Sequence, residues 1–250
     1  MSDSARSAPA SRAPIAADVP VLREVVADVA ALGVRAFTTT RAAGDFAWHS
    51  AEPAGAVFAR WESLRGELRA AGAPRFATAH QVHGTTVLEH APAWEGWLRA
   101  HDADGHFSPT RGTAMAVSVA DCVPIFLAHP SGAAALLHSG WRGTAARIVE
   151  RGIAAFTRAG LGPRDVRAHL GPAICGKCYE VSPDVHLQLT GRTVSEPTPV
   201  DLRALIASHA AALGVQAITI SERCTRCDNS VLFSHRAGDT GRQLAVIAAL

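Results

Sequence analysis

Apolar positions along the chain recur with two periods, and the change of period marks the elements. The run Val34–Thr40 (VRAFTTT) is short, β-branched and aromatic, which predicts a strand. Over Ala51–Ala71 the spacing lengthens. Val57, Trp61, Leu64 and Leu68 fall on one helical face, and Gly72 and Pro74 end the helix. Strands are predicted over Arg75–Val82 and Thr85–Glu89, with His83-Gly84 at the turn between them. The middle of the chain is its most apolar part. Ala114–Val119 and Ile125–His129 flank Ala120-Asp121-Cys122-Val123-Pro124; Pro130-Ser131-Gly132 is a turn signal, and Ala133–His138 is the returning strand. A helix follows over Thr144–Ala159, with Ile148, Val149, Ile153 and Phe156 on one face and Gly160 closing it. Val166–Leu170 is a strand. Asp201 caps a helix over Leu202–Leu213, whose stripe is Leu202, Leu205, Ile206, His209 and Leu213. Ala217–Ser221 and Leu244–Leu250 supply further strands. Helices alternate with strands and hairpins, so the expected class is α/β of the mixed α+β kind.

Composition narrows the function classes. The chain has 250 residues, 48% apolar and 18% charged, so it is not disordered as a whole. It has no uninterrupted apolar run of the roughly 18 residues that a spanning helix requires. A net charge of +2 creates no demand for nucleic acid or an anionic membrane as partner. All but one of the 24 basic residues are arginine, Lys177 being the exception. Residues 1–20 are polar, rich in Ser, Ala and Pro, and lack the apolar core of a secretory signal. They read as a disordered tail before one catalytic domain over 21–250. The expected compartment is the reducing cytoplasm, where the five cysteines are thiols or metal ligands.

Three segments carry candidate chemistry: His80–Gly84, Ala120-Asp121-Cys122 and His138–Gly143. Each sets a metal-binding side chain at the end of an apolar run. Cys122 and His138 flank a predicted hairpin and His83 ends a third strand, so the three can meet. A His–Cys–His set with an open fourth position is the donor set of a catalytic zinc. Each residue also has a structural reading, as a satisfied strand-end His or a small buried thiol. His80 is left out, because three steps along an extended segment reverse the side. Asp121 is a candidate to orient a ligand or accept a proton, or a strand-end cap. Arg41, in a glycine-containing loop, is a candidate phosphate grip or a solvated loop residue. Gln81 is a candidate substrate contact. Arg142, between Trp141 and Gly143, reads as a structural arginine in a salt bridge with stacking, or as a residue that reaches the site.

The motifs His80–Gly84, Ala120–Pro124, His138–Gly143, Gly171-Pro172-Ala173-Ile174, Cys178-Tyr179-Glu180-Val181, Phe233–Arg236 and Thr240-Gly241-Arg242 occur in this order. From about Val34 onward the chain closely resembles the laccase-domain family, known both as multicopper polyphenol oxidoreductases and as purine nucleoside phosphorylases. The peptidoglycan editing factor belongs to it. The resemblance implies one zinc at His83, Cys122 and His138. It also implies a layered α/β/α fold like that of toxin deamidases with a Cys–His pair. The implied activity is phosphorolysis of adenosine, inosine and methylthioadenosine, with deamination of adenosine. Three alternatives remain. One is an amidase that removes serine misincorporated on UDP-N-acetylmuramate precursors. Another is a polyphenol oxidase with copper substituting for zinc, although the chain has no His-x-His pair. The last is a non-catalytic binding protein. The expected partners are a purine nucleoside and phosphate, and protein partners are left open.

The chain departs from the family pattern on the substrate side. The family's Arg-x-Gly-Gly-x-Ser stands here as Arg41–Phe46, its Tyr- and Asn-containing stretch is not recognisable in Ala47–Ala54, its Asn-Arg is Ala59-Arg60, and its Arg-Arg-Asp is Arg236–Asp239. Four more cysteines form two C-x-x-C pairs, Cys175/Cys178 and Cys224/Cys227. That spacing suits a structural zinc, a disulfide or free thiols, and the resemblance brings no second zinc with it.

Overall fold

A computed structural model describes residues 22–250, so the predicted tail lies outside the described residues. The strands are β1 (Arg23–Val25), β2 (Val34–Thr39), β3 (Arg75–Ala79), β4 (Val87–Glu89), β5 (Gly96–Ala100), β6 (Gly105–Ser108), β7 (Thr113–Val119), β8 (Val123–Ala128), β9 (Ala134–Ser139), β10 (Arg167–Leu170), β11 (Glu180–Val181), β12 (Thr198–Pro199), β13 (Ala217–Ile220) and β14 (Gln243–Ala249). The helices are α1 (Ala54–Ala70), α2 (Trp141–Ala145), α3 (Ile148–Arg158), α4 (Pro183–Thr190) and α5 (Leu202–Ala212). Two mixed six-stranded sheets make one mixed α/β domain. The first runs β1-β2-β14-β7-β3-β5 and the second β13-β10-β8-β9-β6-β4.

Side-chain alternation assigns each strand face to a layer. In β14, Ala245, Ile247 and Ala249 face the second sheet, while Leu244, Val246 and Ala248 pack with Val57, Trp61, Leu64 and Leu68 of α1. In β8, Phe126 and Ala128 face the first sheet, while Val123, Ile125 and Leu127 meet Ile153 and Phe156 of α3 and Ile206 of α5. The order is therefore helix, sheet, sheet, helices. This corrects the expected three-layer α/β/α arrangement. A strand covered on both faces is apolar throughout whether its cover is a helix or another sheet, so the sequence could not separate the two.

Local details follow the chain's chemistry. Asp201 caps α5 by accepting from the amides of Arg203 and Ala204 at 2.9 and 3.1 Å. The helix expected over Thr144–Ala159 is two helices, because Arg147 adopts a left-handed conformation (φ 57°) between α2 and α3. Gly152 lets α3 approach the sheet; a Cβ there would lie 2.7 Å from Leu137 Cδ1. No helix of the described residues is long and apolar enough to cross a membrane.

The two strands expected on either side of His83-Gly84 belong to different sheets: β3 to the first and β4 to the second. The His80–Gly84 loop thus crosses between sheets. So does the turn holding Asp121 and Cys122, which joins β7 to β8.

Candidate metal centre

The two crossings and the end of β9 bring three donors together. One ligand atom each from His83, Cys122 and His138 lies within 4.8 Å of the others. The imidazole rings of His83 and His138 are 4.8 Å apart and nearly perpendicular. His138 is buried, Cys122 half-buried and His83 exposed, so the cluster is closed on one side and open on the other.

A residue absent from the sequence expectations holds this geometry. The carboxylate of Asp104, fully buried, accepts four hydrogen bonds. The amides of Val82, His83 and Gly84 donate at 3.2, 2.9 and 2.7 Å, and Nδ1 of His138 donates at 2.8 Å. That bond fixes the imidazole so that Nε2 is its remaining ligand atom. Burial opposes the charge on Asp104, but the His138 bond and the loop amides outweigh it and hold the carboxyl below its usual range.

Backbone strain is concentrated here. His83 (φ 60°) and Asp121 (φ 81°) are two of the four non-glycine residues with positive φ among those described. Such residues persist where surrounding contacts over-determine them.

Burial pushes the Cys122 thiol up, but charge and hydrogen bonding from His138 and His83 pull it down to about 6. Burial lowers His138, while Cys122 and Asp104 raise it to about 9. In the metal-free site these interactions favour a thiolate–imidazolium pair. Alkylation of Cys122 by iodoacetamide in metal-free protein is expected to stay fast at pH 7 and to fall as pH drops through about 6. An inflection near the ordinary thiol value would contradict this.

Gly140 closes one wall. A Cβ there would sit 2.9 Å from Cys122 Sγ and 3.1 Å from His83 Cδ2. Gly140→Ala is expected to weaken zinc binding about tenfold or more by displacing two ligands, with an unchanged circular dichroism spectrum; chelator competition reads the loss.

The cluster opens into a cleft of about 380 Å³, also lined by Trp48, His49, His80, Gln81, Arg99, His235 and Arg242. Gln81 is oriented by Ser118. Its amide nitrogen donates to the Ser118 carbonyl at 2.9 Å, and its oxygen accepts from the Ser118 amide and hydroxyl at 2.8 and 2.9 Å. His80 lines the cleft but bonds Asp102 at 3.1 Å and stands outside the donor set. The segment that departs from the family pattern supplies Trp48 and His49. Trp48 stacks on Trp61 at 5.2 Å, keeps 45% of its surface exposed, and has the Arg99 guanidinium 5.2 Å from its ring.

Asp121, Arg41 and Arg142 do not line this cleft. The Asp121 carboxylate is taken by the Thr225 hydroxyl at 2.6 Å and the Arg236 amide at 2.7 Å. The carboxylate that orients a ligand is that of Asp104, at His138. Arg41 is ion-paired with Asp239, lies over the Phe233 ring and donates to the Asn229 carbonyl. It braces the loop that carries His235 and Arg242. Arg142 lies over Trp141 at 4.3 Å, which is the stacking expected of it, without the expected salt bridge among the described residues. Neither arginine's position relative to a strand end could be read from local pattern.

Residues 35–250 match the family profile described as multi-copper polyphenol oxidoreductase laccase. A Mycobacterium tuberculosis protein named purine nucleoside phosphorylase is 37% identical over 233 residues, which cover 86% of this chain and 91% of the relative. YlmD of Geobacillus stearothermophilus, also named a purine nucleoside phosphorylase, is 35% identical over 197 residues, covering 69% of this chain and 72% of that protein. The crystal structure of YlmD superposes with a TM-score of 0.79 at 29% identity, covering 86% of this chain and 92% of that one. Bacillus licheniformis YfiH shares the fold, with a TM-score of 0.80 at 23% identity, covering 93% and 98%. The laccase-domain profile spans nearly all of the described chain and the relatives cover most of it, so the protein belongs to the laccase-domain family.

Proposed function

We propose that the protein is a zinc-dependent purine nucleoside phosphorylase that acts on adenosine, inosine and methylthioadenosine. The observation that carries the reading is the convergence of His83, Cys122 and His138 at the base of a cleft edged by Arg99 and Arg242. The names of the relatives supply the reaction class.

The donor set fits zinc. Two imidazoles and a thiol of lowered pKa make three soft-to-borderline ligands on a rigid frame, with one side open. When bound, zinc supplies Lewis-acid polarisation of a substrate oxygen. Copper is a substitute occupant of the same donors.

The chain's own residues do the rest. In phosphorolysis a phosphate oxygen bonds to the anomeric carbon of the ribose as the glycosidic C–N bond breaks. The bonding pair leaves with the purine nitrogen, which takes up a proton. Positive charge grows on the sugar, so an anion held against it lowers the barrier. Arg99 and Arg242 form the cationic wall for phosphate. The exposed part of Trp48 offers the base an apolar contact beside Arg99. His49, His80 and His235 are the cleft imidazoles outside the donor set, available to hand a proton to the leaving base. Asp104 keeps His138 in one tautomer and orientation throughout.

The order Cys122, His138, Asp104 favours a second reading. A lowered-pKa thiol beside an imidazole oriented by a carboxylate is also a nucleophilic set for amide hydrolysis, as in peptidoglycan-precursor editing. Zinc-loaded protein is incubated with adenosine plus phosphate, with adenosine alone, and with a UDP-muramoyl-serine precursor. Phosphate-dependent ribose 1-phosphate is the expected product. Inosine formed without phosphate would mean deamination, and free serine would mean editing; either one without ribose 1-phosphate overturns the phosphorylase reading.

A further inference from the structure

We propose that Cys175, Cys178, Cys224 and Cys227 hold a second, structural zinc ion in a four-thiolate site that clamps two loops beside the cleft. The four sulfurs, one from each cysteine, all lie within 4.8 Å of one another. A tetrahedral zinc with Zn–S bonds of about 2.3 Å sets sulfurs roughly 3.8 Å apart, and the closest pair given, Cys178 and Cys227, stands at 3.5 Å. The two C-x-x-C turns meet through a parallel bridge between Ala173 and Cys224.

Two further observations point to an ion. First, backbone amides aim at sulfur: Cys175 N–H donates to Cys224 Sγ at 3.3 Å and Cys227 N–H donates to the same sulfur at 3.5 Å. Amides turned toward a sulfur in this way favour its thiolate form. Second, each turn carries a cation just before its second cysteine. Cys-Gly-Lys-Cys holds Lys177, the chain's only lysine, and Cys-Thr-Arg-Cys holds Arg226, which donates to the Cys178 carbonyl at 3.4 Å. Four thiolates around one divalent ion keep two negative charges, which nearby cations offset.

The site is distinct from the catalytic cluster and does not depend on the phosphorylase reading. It still bears on that cluster. Thr225, between the two cysteines of the second turn, is fully buried and bonds Asp121, the neighbour of Cys122.

The test uses full-length Cys122→Ala protein, which lacks the thiolate of the first site, purified with reductant, supplied with zinc and desalted. Elemental analysis is expected to find one zinc per chain, and the four remaining cysteines to resist a thiol reagent until a mercurial displaces the ion. Cobalt-loaded Cys122→Ala protein is expected to show a sulfur-to-cobalt charge-transfer band, which two imidazoles cannot give. Adding Cys178→Ser and Cys227→Ser is expected to remove that ion. Four freely titrating thiols and no zinc would overturn the proposal. So would fewer than four thiols with a mass deficit from disulfides, one equivalent of iron, or a cobalt form without the charge-transfer band.

Discussion

Cys122→Ala is expected to reduce phosphorolysis by at least about a thousand-fold, the scale seen when a group essential to the reacting centre is removed. It is also expected to release one equivalent of zinc. The two outcomes share a cause. His83 is exposed and His138 is tied to Asp104, so without the sulfur only these two imidazoles, 4.8 Å apart, remain of the donor set. Two ligands do not complete the three-residue set of a catalytic zinc. Metal content and steady-state rate, measured on the same preparation, check the pair. Full turnover by the variant would overturn the assignment of Cys122 to the reacting centre.

Asp104→Asn is expected to be more damaging to stability than its near-identical shape suggests. The carboxylate takes four donors on two oxygens. An amide offers one acceptor oxygen and turns an N–H toward donors that no longer have a partner. Leaving such a buried charged pair broken costs about 3–5 kcal/mol. Zinc affinity falls by about 10–100-fold, the usual scale for a lost carboxylate–histidine bond behind a ligand. Urea unfolding and chelator competition measure the two effects. The pH dependence has a definite sign. Asp104 has a folded-state pKa below its unfolded value, so its contribution is present above the unfolded value. It is lost as pH falls through the folded one. Asp104→Asn protein should therefore lose less stability on acidification than the wild type.

How much of this was legible in the sequence depends on the range of the signal. The face of α1 and the cap of α5 are local, and both stand where the pattern put them. The strands β5 and β6 were not seen. Gly96–Ala100 is an edge strand that is only partly covered, so its pattern is mixed. Gly105–Ser108 is wholly buried yet spelled Gly-His-Phe-Ser. Its His106 survives inside because burial pushes its pKa down to about 3 and His90 meets it at 2.9 Å. Helix α4 carries a local signal as well, Ser182 before Pro183 and Gly191 after the last turn. Strand parity places His80 outside the metal set. The segment is a crossing loop, and Asp102 accounts for its placement instead. Asp104 was missed because Asp-Ala-Asp-Gly reads as a turn. Only the folded chain shows three amides and an imidazole converging on it.

Both chain crossings that carry metal ligands also join the two sheets. The β3–β4 loop brings His83, and the β7–β8 turn brings Cys122, opposite His138 on β9. A shared ion would therefore act as a rivet through the sandwich, since any sliding of one sheet past the other must stretch its bonds. Occupancy should then be felt beyond the cleft, as slower amide exchange over Ile125–Ala128 of β8 and Ala134–Leu136 of β9, the stretches of these strands away from the ligands.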